Sequence, residues 1–357
     1  MEMKSFLVGL APFAAMVLLE CLDVGVNTLN KAATSKGTSS FVLVVYGNAL
    51  GSLILLPIAF FLNWKKRPPI NFSVLCKFFL LSFVGITVMQ NCMSTGVRYS
   101  SPTLASAILN LIPVFTFLLA VIFRMEKIDL RSSKSQIKIL GTLVSISGAI
   151  VVTLFKGPPI VGPVAQSQPQ PSPSTMLTTT NSWVIGGLLL AAAGLCIAIS
   201  IIAQAAILKG YPSKITLVFF YSFFGTIQSA IVALIAERNL NAWKLTHDID
   251  LIFVVYAAFI GSVVIVGVSA WCIQIKGPVF FAMFKPLGIA IAAFMGFIFL
   301  GETLYLGSII GAVIIVAGFY GVLWAMSREE EDEIGSPHHK LESTSVKTPL
   351  LHTHLDA

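Results

Sequence analysis

Apolar stretches of about 20 residues alternate with short polar breaks along this chain, and the rhythm persists to about residue 326. Ten stretches can be placed, at about 6–28, 40–62, 75–96, 103–123, 137–155, 183–205, 215–236, 251–272, 279–300 and 304–326. A helix rising 1.5 Å per residue needs about 20 residues to cross ~30 Å of hydrocarbon. Two-residue alternation is absent, and the stretches exceed the ~9–11 residues of a barrel strand, so each predicts a helix. The pattern predicts an all-α integral membrane protein with ten transmembrane helices. The first stretch is too long for a removable signal peptide, carries Glu20 and Asp23, and is followed by no small-residue cleavage site.

The breaks divide the chain. Residues 157–182 are rich in Pro, Ser, Thr and Gln and carry no charge, a composition that cannot form a packed core. They separate a first half, 1–156, from a second, 183–326. A polar tail, 327–357, with the run Glu329–Glu330–Glu331–Asp332–Glu333, is expected to be disordered and cytoplasmic. The halves match at an offset of 176: Phe83 and Gly85 with Phe259 and Gly261, Pro102 with Pro278, and Glu126 with Glu302. At an offset of 174, Ser39, Leu43 and Gly51 match Ser213, Leu217 and Gly225. Five helices are an odd number, so the second half must enter the membrane upside down. Two inverted five-helix repeats around a midplane site are an arrangement suited to alternating access.

Charge sets orientation. Only 11% of residues are charged, against roughly 25% in a soluble domain. With the N-terminus in the cytoplasm, 16 of the 23 Lys and Arg fall on the inner side and six on the outer, leaving Lys285 within a helix. That bias predicts both termini inside. The net charge of +7 is thereby a topology signal, and no nucleic-acid partner is expected. The five cysteines lie in or beside apolar stretches, without disulfide or metal spacing, and four of the five histidines lie in the tail. No metal, cofactor, nucleotide loop or hydrolase motif is expected, so neither enzyme nor primary pump fits.

Candidate site residues are those that are costly to bury. Glu20, Asp23, Asn27 and Asn30 recur every three or four positions and share one face of the first helix. An ionised carboxylate at mid-helix costs roughly 2.5–3.5 kcal/mol on insertion scales, so the stripe must face protein or water. A cavity wall touching a substrate ammonium, or a polar seam paired with Lys285, would satisfy it. Lys285 itself can meet a substrate carboxylate, pair with Glu20, or snorkel to the interface. Gln90 and Asn110 are mid-helix polar groups for a small zwitterion, or interhelical glue. Pro113 and Pro286 each remove a backbone donor, freeing the carbonyls of Leu109 and Ala282. Corresponding broken helices are the best sequence pointer to a transporter site. Glu126 and Glu302, at helix ends, read as structural or gating groups. Gly47-x3-Gly51 and Gly307-x3-Gly311 fit close helix packing, either inside the protein or in a homo-oligomer.

The stretch SPTLASAILNLIPVFTFLLAVIFRMEKI, residues 101–128, with FKPLGI in the ninth helix and LGE before the tenth, resembles the plant drug/metabolite transporters. More narrowly it is similar to the EamA-type, walls-are-thin-related (UMAMIT) amino-acid facilitators. The resemblance implies an EamA-type repeat in each half, a central cavity, and bidirectional movement of amino acids across a plasma membrane, ahead of a vacuolar one. Relatives that move auxin or other metabolites make an organic-anion carrier the alternative within transport. A receptor or scaffold on a transporter fold is the alternative outside it. The partners expected are a small-molecule substrate and the bilayer.

Overall fold

A computed structural model describes residues 2–62, 69–100, 102–125, 132–155, 158–161, 180–237, 243–245, 248–300 and 304–335. Its ten spans are α1 (Ala11–Ser35), α2 (Ser40–Phe60), α3 (Phe72–Tyr99), α4 (Leu104–Ile122), α5 (Ser135–Leu154), α6 (Val184–Gly210), α7 (Lys214–Ala236), α8 (Asp248–Lys276), α9 (Pro278–Met295) and α10 (Leu306–Ala325). Several exceed their apolar stretches, because a helix does not stop where hydropathy falls. The helix containing α1 runs to Ser35 and the one containing α10 to Gly335. The latter carries Arg and Glu, good helix formers, nine residues past the expected boundary. Among the described residues there is, besides the helices, one short antiparallel ribbon, β1 (Pro159–Val161) with β2 (Leu304–Tyr305). Most of the 157–182 linker, and the tail beyond Gly335, lie outside the described residues.

Packing follows the repeat. Contacts between halves come as mates under exchange of the two: α1 against α9 and α6 against α4, α1 against α8 and α6 against α3, α2 against α8 and α7 against α3. Two pairs, α2 with α7 and α5 with α10, are their own mates. One contact shows the correspondence atom by atom. A Cβ on Gly51 of α2 would strike Ser262 of α8, and one on Gly225 of α7 would strike Ile86 of α3. Gly51 and Gly225 are 174 positions apart, and Ile86 and Ser262 are 176 apart. Gly148 and Gly318 likewise let α5 and α10 meet backbone to backbone. The small-residue spacings at Gly47/Gly51 and at Gly311 are thus occupied by contacts within one chain.

Two departures from ideal α geometry are shared by the halves. A π-helical turn interrupts α3 at Phe83–Val88 and α8 at Ala257–Ile265. The matching Phe83/Gly85 and Phe259/Gly261 pairs lie inside them. Single π turns occur frequently at functional sites.

Candidate functional site

The second shared departure is a broken helix in each half. In the first, Pro102–Leu109 and Ile112–Ile122 are separate helices. The amide of Leu111 there turns back to the Ile108 carbonyl at 3.0 Å. In the second, Pro278–Met283 and Lys285–Leu300 are separated at Phe284, and the Leu287 amide donates to the Phe284 carbonyl at 3.0 Å. Pro113 and Pro286 stand just after these breaks, each in the first turn of the helix that restarts. Their missing N–H would have been orphaned there anyway, so proline is at home. Ile112, Phe280, Phe281 and Phe284 then pack with Met16 and Leu19 of α1 in one buried cluster that joins the two breaks.

Charge enters beside that cluster. Lys285, opening the restarted half of α9, holds its Nζ 3.0 Å from Glu20 Oε1 and 3.4 Å from Asp23 Oδ2. A lysine at a helix N-terminus opposes the helix dipole, whereas carboxylates there are favoured. Glu20 and Asp23 therefore answer both the ammonium and the helix end. The Glu20 side chain is 2% exposed, Lys285 22% and Asp23 35%. Gly288 makes room for the pair, since a Cβ at that position would lie 2.6 Å from Glu20 Oε2. Lys285 Nζ also sits 5.3 Å from the Phe281 ring centroid, a cation–π distance. Lys285 points inward to its partners and does not snorkel. Two carboxylates thus face one ammonium.

The other sequence candidates are dispersed. Asn27 is exposed and donates to the Asp23 carbonyl of its own helix at 2.9 Å. Gln90 lines a narrow crevice between α2, α3 and α7 with Phe41, Thr87 and Ser229, apart from the α1–α9 cluster. Its neighbour Thr87 donates to Gln228 at 3.0 Å, tying α3 to α7. Asn110 lies at the α4 break, 1% exposed, and neither amide atom has a hydrogen-bond partner among the described residues. Glu126 and Glu302 lie outside the described residues.

Two further features bear on passage. A surface-facing cavity of about 530 Å³ opens where α6 and α8 end, lined by Met125, Lys209, Pro212, Gln274, Lys276 and Gly277. Gly277 makes the α8–α9 corner with φ +89°, a conformation favouring glycine. At the opposite end the chain is tied. Thr38, between α1 and α2, has its hydroxyl 3.0 Å from both oxygens of the buried Asp250 carboxylate, and Ser39 donates to Glu237 at 2.7 Å. Tyr46 donates to the Trp243 carbonyl at 3.0 Å and stacks edge-on against that ring. Asp250 escapes sequence reading because Asp248 and Asp250 directly precede the apolar run that begins at Leu251. The signal was present: acidic residues favour a helix's first turn.

With ten helices among the described residues long and apolar enough to cross a membrane, the chain has the build of a multi-pass membrane protein. Its sequence matches the model of the EamA-like transporter family twice, over residues 12–154 and 184–324. The chain belongs to that family. It is 45% identical to one WAT1-related protein of Arabidopsis thaliana, covering 99% of this chain and 95% of the relative. A second such protein is 44% identical, covering 99% and 98%, and a third 42%, covering 98% and 96%. A solved crystal structure 14% identical superposes with a TM-score of 0.65 over 90% of this chain and 98% of its own, a likeness of fold.

Proposed function

We propose that this transporter moves amino acids across the plasma membrane, bidirectionally and down their gradient, by alternating access between two inverted repeats. The observation that carries the reading is the Glu20–Asp23–Lys285 cluster. It is buried beside a broken helix and has one carboxylate more than it needs for its own lysine. A substrate ammonium supplies the missing positive charge at Asp23, the more exposed of the two acids. A substrate without an ammonium would leave the second carboxylate unmatched, because Lys285 already faces both acids. That favours an amino acid over auxin as substrate. A receptor would have no use for two corresponding breaks.

Orientation follows from the cation bias, which puts both termini and the cavity mouth in the cytoplasm. On that assignment the cavity beside Lys209 and Lys276 is the inner vestibule. The Thr38–Asp250 and Ser39–Glu237 contacts then close the outer side, and the described state faces inward. Moving the opening to the other side requires the α1–α2 corner to part from α7 and α8 while the α6–α7 corner closes. The broken helices and the π turns are where bending comes at least cost.

The test is purified protein in liposomes loaded with mixed amino acids and auxin, with efflux resolved by mass. Amino-acid efflux that Asp23→Asn abolishes supports the reading. Auxin efflux alone overturns it.

A further inference from the structure

The cluster on α1 and α9 accounts for one end of an amino acid, and its cation, Lys285, already faces two carboxylates and has none to offer the other. We infer that the substrate carboxylate is held at the break in α4, by the start of the helix Ile112–Ile122 together with the Asn110 amide; this rests on the amino-acid reading above. Two observations meet there. The restarted helix has 11 residues, enough for a developed positive end, and its first turn has donors to spare. Pro113 has none, and Phe115 donates to the Leu111 carbonyl, which leaves Ile112 and Val114. Directly before this turn stands Asn110, 1% exposed, with its Nδ2 and Oδ1 both unpartnered among the described residues. A buried amide without partners costs about 1–3 kcal/mol and is retained only where something repays it. Thr116, one turn further on and fully buried, has an unpartnered hydroxyl on the same helix.

Placement agrees with chemistry. Leu109 and Ile112, on either side of Asn110, pack in the cluster that contains Leu19, next to Glu20, and Phe284, next to Lys285. The break that carries Asn110 and the acidic pair thus border the same apolar cluster. Anion-attracting and cation-attracting groups beside one apolar cluster suit a zwitterion with its side chain among the phenylalanines. The repeat gives the contrast: at the offset of 176, Asn110 corresponds to Pro286, which carries no polar side chain. The scaffold does not require an amide there.

The experiment uses the full chain in proteoliposomes loaded with L-alanine, L-glutamine and L-phenylalanine, and in parallel with their carboxamides, which keep the ammonium and lose the carboxylate. Wild type should prefer the acids. Asn110→Leu should melt at a higher temperature, having lost a buried orphan, while its preference for acids over amides falls about tenfold or more, the size of a hydrogen bond to a charged group. Asn110→Asp, which sets a negative charge in the site, should favour the amides. A stabilised Asn110→Leu that keeps the wild-type preference overturns the inference and leaves amino-acid transport standing. Wild-type protein that moves none of the acids overturns the amino-acid reading and this inference with it.

Discussion

Lys285 Nζ and Glu20 Oε1 meet at 3.0 Å although 265 residues separate them, and the contact joins the first helix of one repeat to the broken helix of the other. Glu20 has no acidic counterpart in the second half, where an offset of 174 gives Gly194. Removing one member of a buried pair leaves the other uncompensated, at a cost of roughly 3–5 kcal/mol. Lys285→Met should therefore lower the melting temperature sharply in detergent. Combining it with Glu20→Gln should restore much of the stability but not transport. Asp23→Asn, at the exposed edge, should fold normally and lose at least about tenfold in amino-acid flux, as a charge-assisted contact would. Normal flux through Asp23→Asn would place the ammonium elsewhere.

Gly288 offers a gentler probe of the same contact. Gly288→Ala keeps every charge but puts a methyl where Glu20 Oε2 lies. Overpacking of this kind costs typically 1–3 kcal/mol. The expected result is a modest loss of stability with a large loss of flux, read by thermal melts and liposome uptake on the same preparation. Unchanged flux would mean that the position of Glu20 is not critical.

The prolines can be tested separately from the charges. Pro113→Ala or Pro286→Ala restores a backbone donor and should straighten its helix, impairing uptake while surface expression stays normal. Wild-type uptake by both variants would reduce the breaks to packing features.

The Thr38–Asp250 tie should, on the orientation proposed above, set the balance between the two faces. Thr38→Val removes the hydroxyl that meets Asp250 and leaves a buried carboxylate short of a donor. It should raise labelling, by an impermeant maleimide from outside, of a cysteine placed at Asn30. No change in labelling would show that the corner does not gate.

Topology has its own check. Asn71-Phe72-Ser73 is an N-glycosylation sequon at the start of α3, in the loop assigned to the cytoplasm. It should carry no glycan in cells, by glycosidase-shift assay; a glycan would invert the orientation.

The sequence disclosed the spans because hydropathy at membrane length is a strong, local signal. It disclosed the two breaks because proline has one backbone consequence in a helix. Partners were another matter. Glu20, Asp23 and Lys285 stood out by their cost, but nothing local distinguishes a lysine that pairs inward from one that snorkels. That choice is made by Gly288, whose missing side chain is read only against α1. Asn27 and Gln90 show how little helical spacing says about partners. Helical spacing put each on a polar face, yet Asn27 turns back on its own backbone and Gln90 faces a different helix pair. The π turns escaped altogether, because one extra residue in a turn leaves hydropathy unchanged.

The π turns have a mechanical consequence. A helix bends at a π turn, a proline or a glycine and stays stiff between such points. The turns at Phe83–Val88 and Ala257–Ile265 stand at positions related by the offset of the surrounding sequence. Each half therefore carries a joint at the same place, and the stiff segments on either side of it act as levers of matched length.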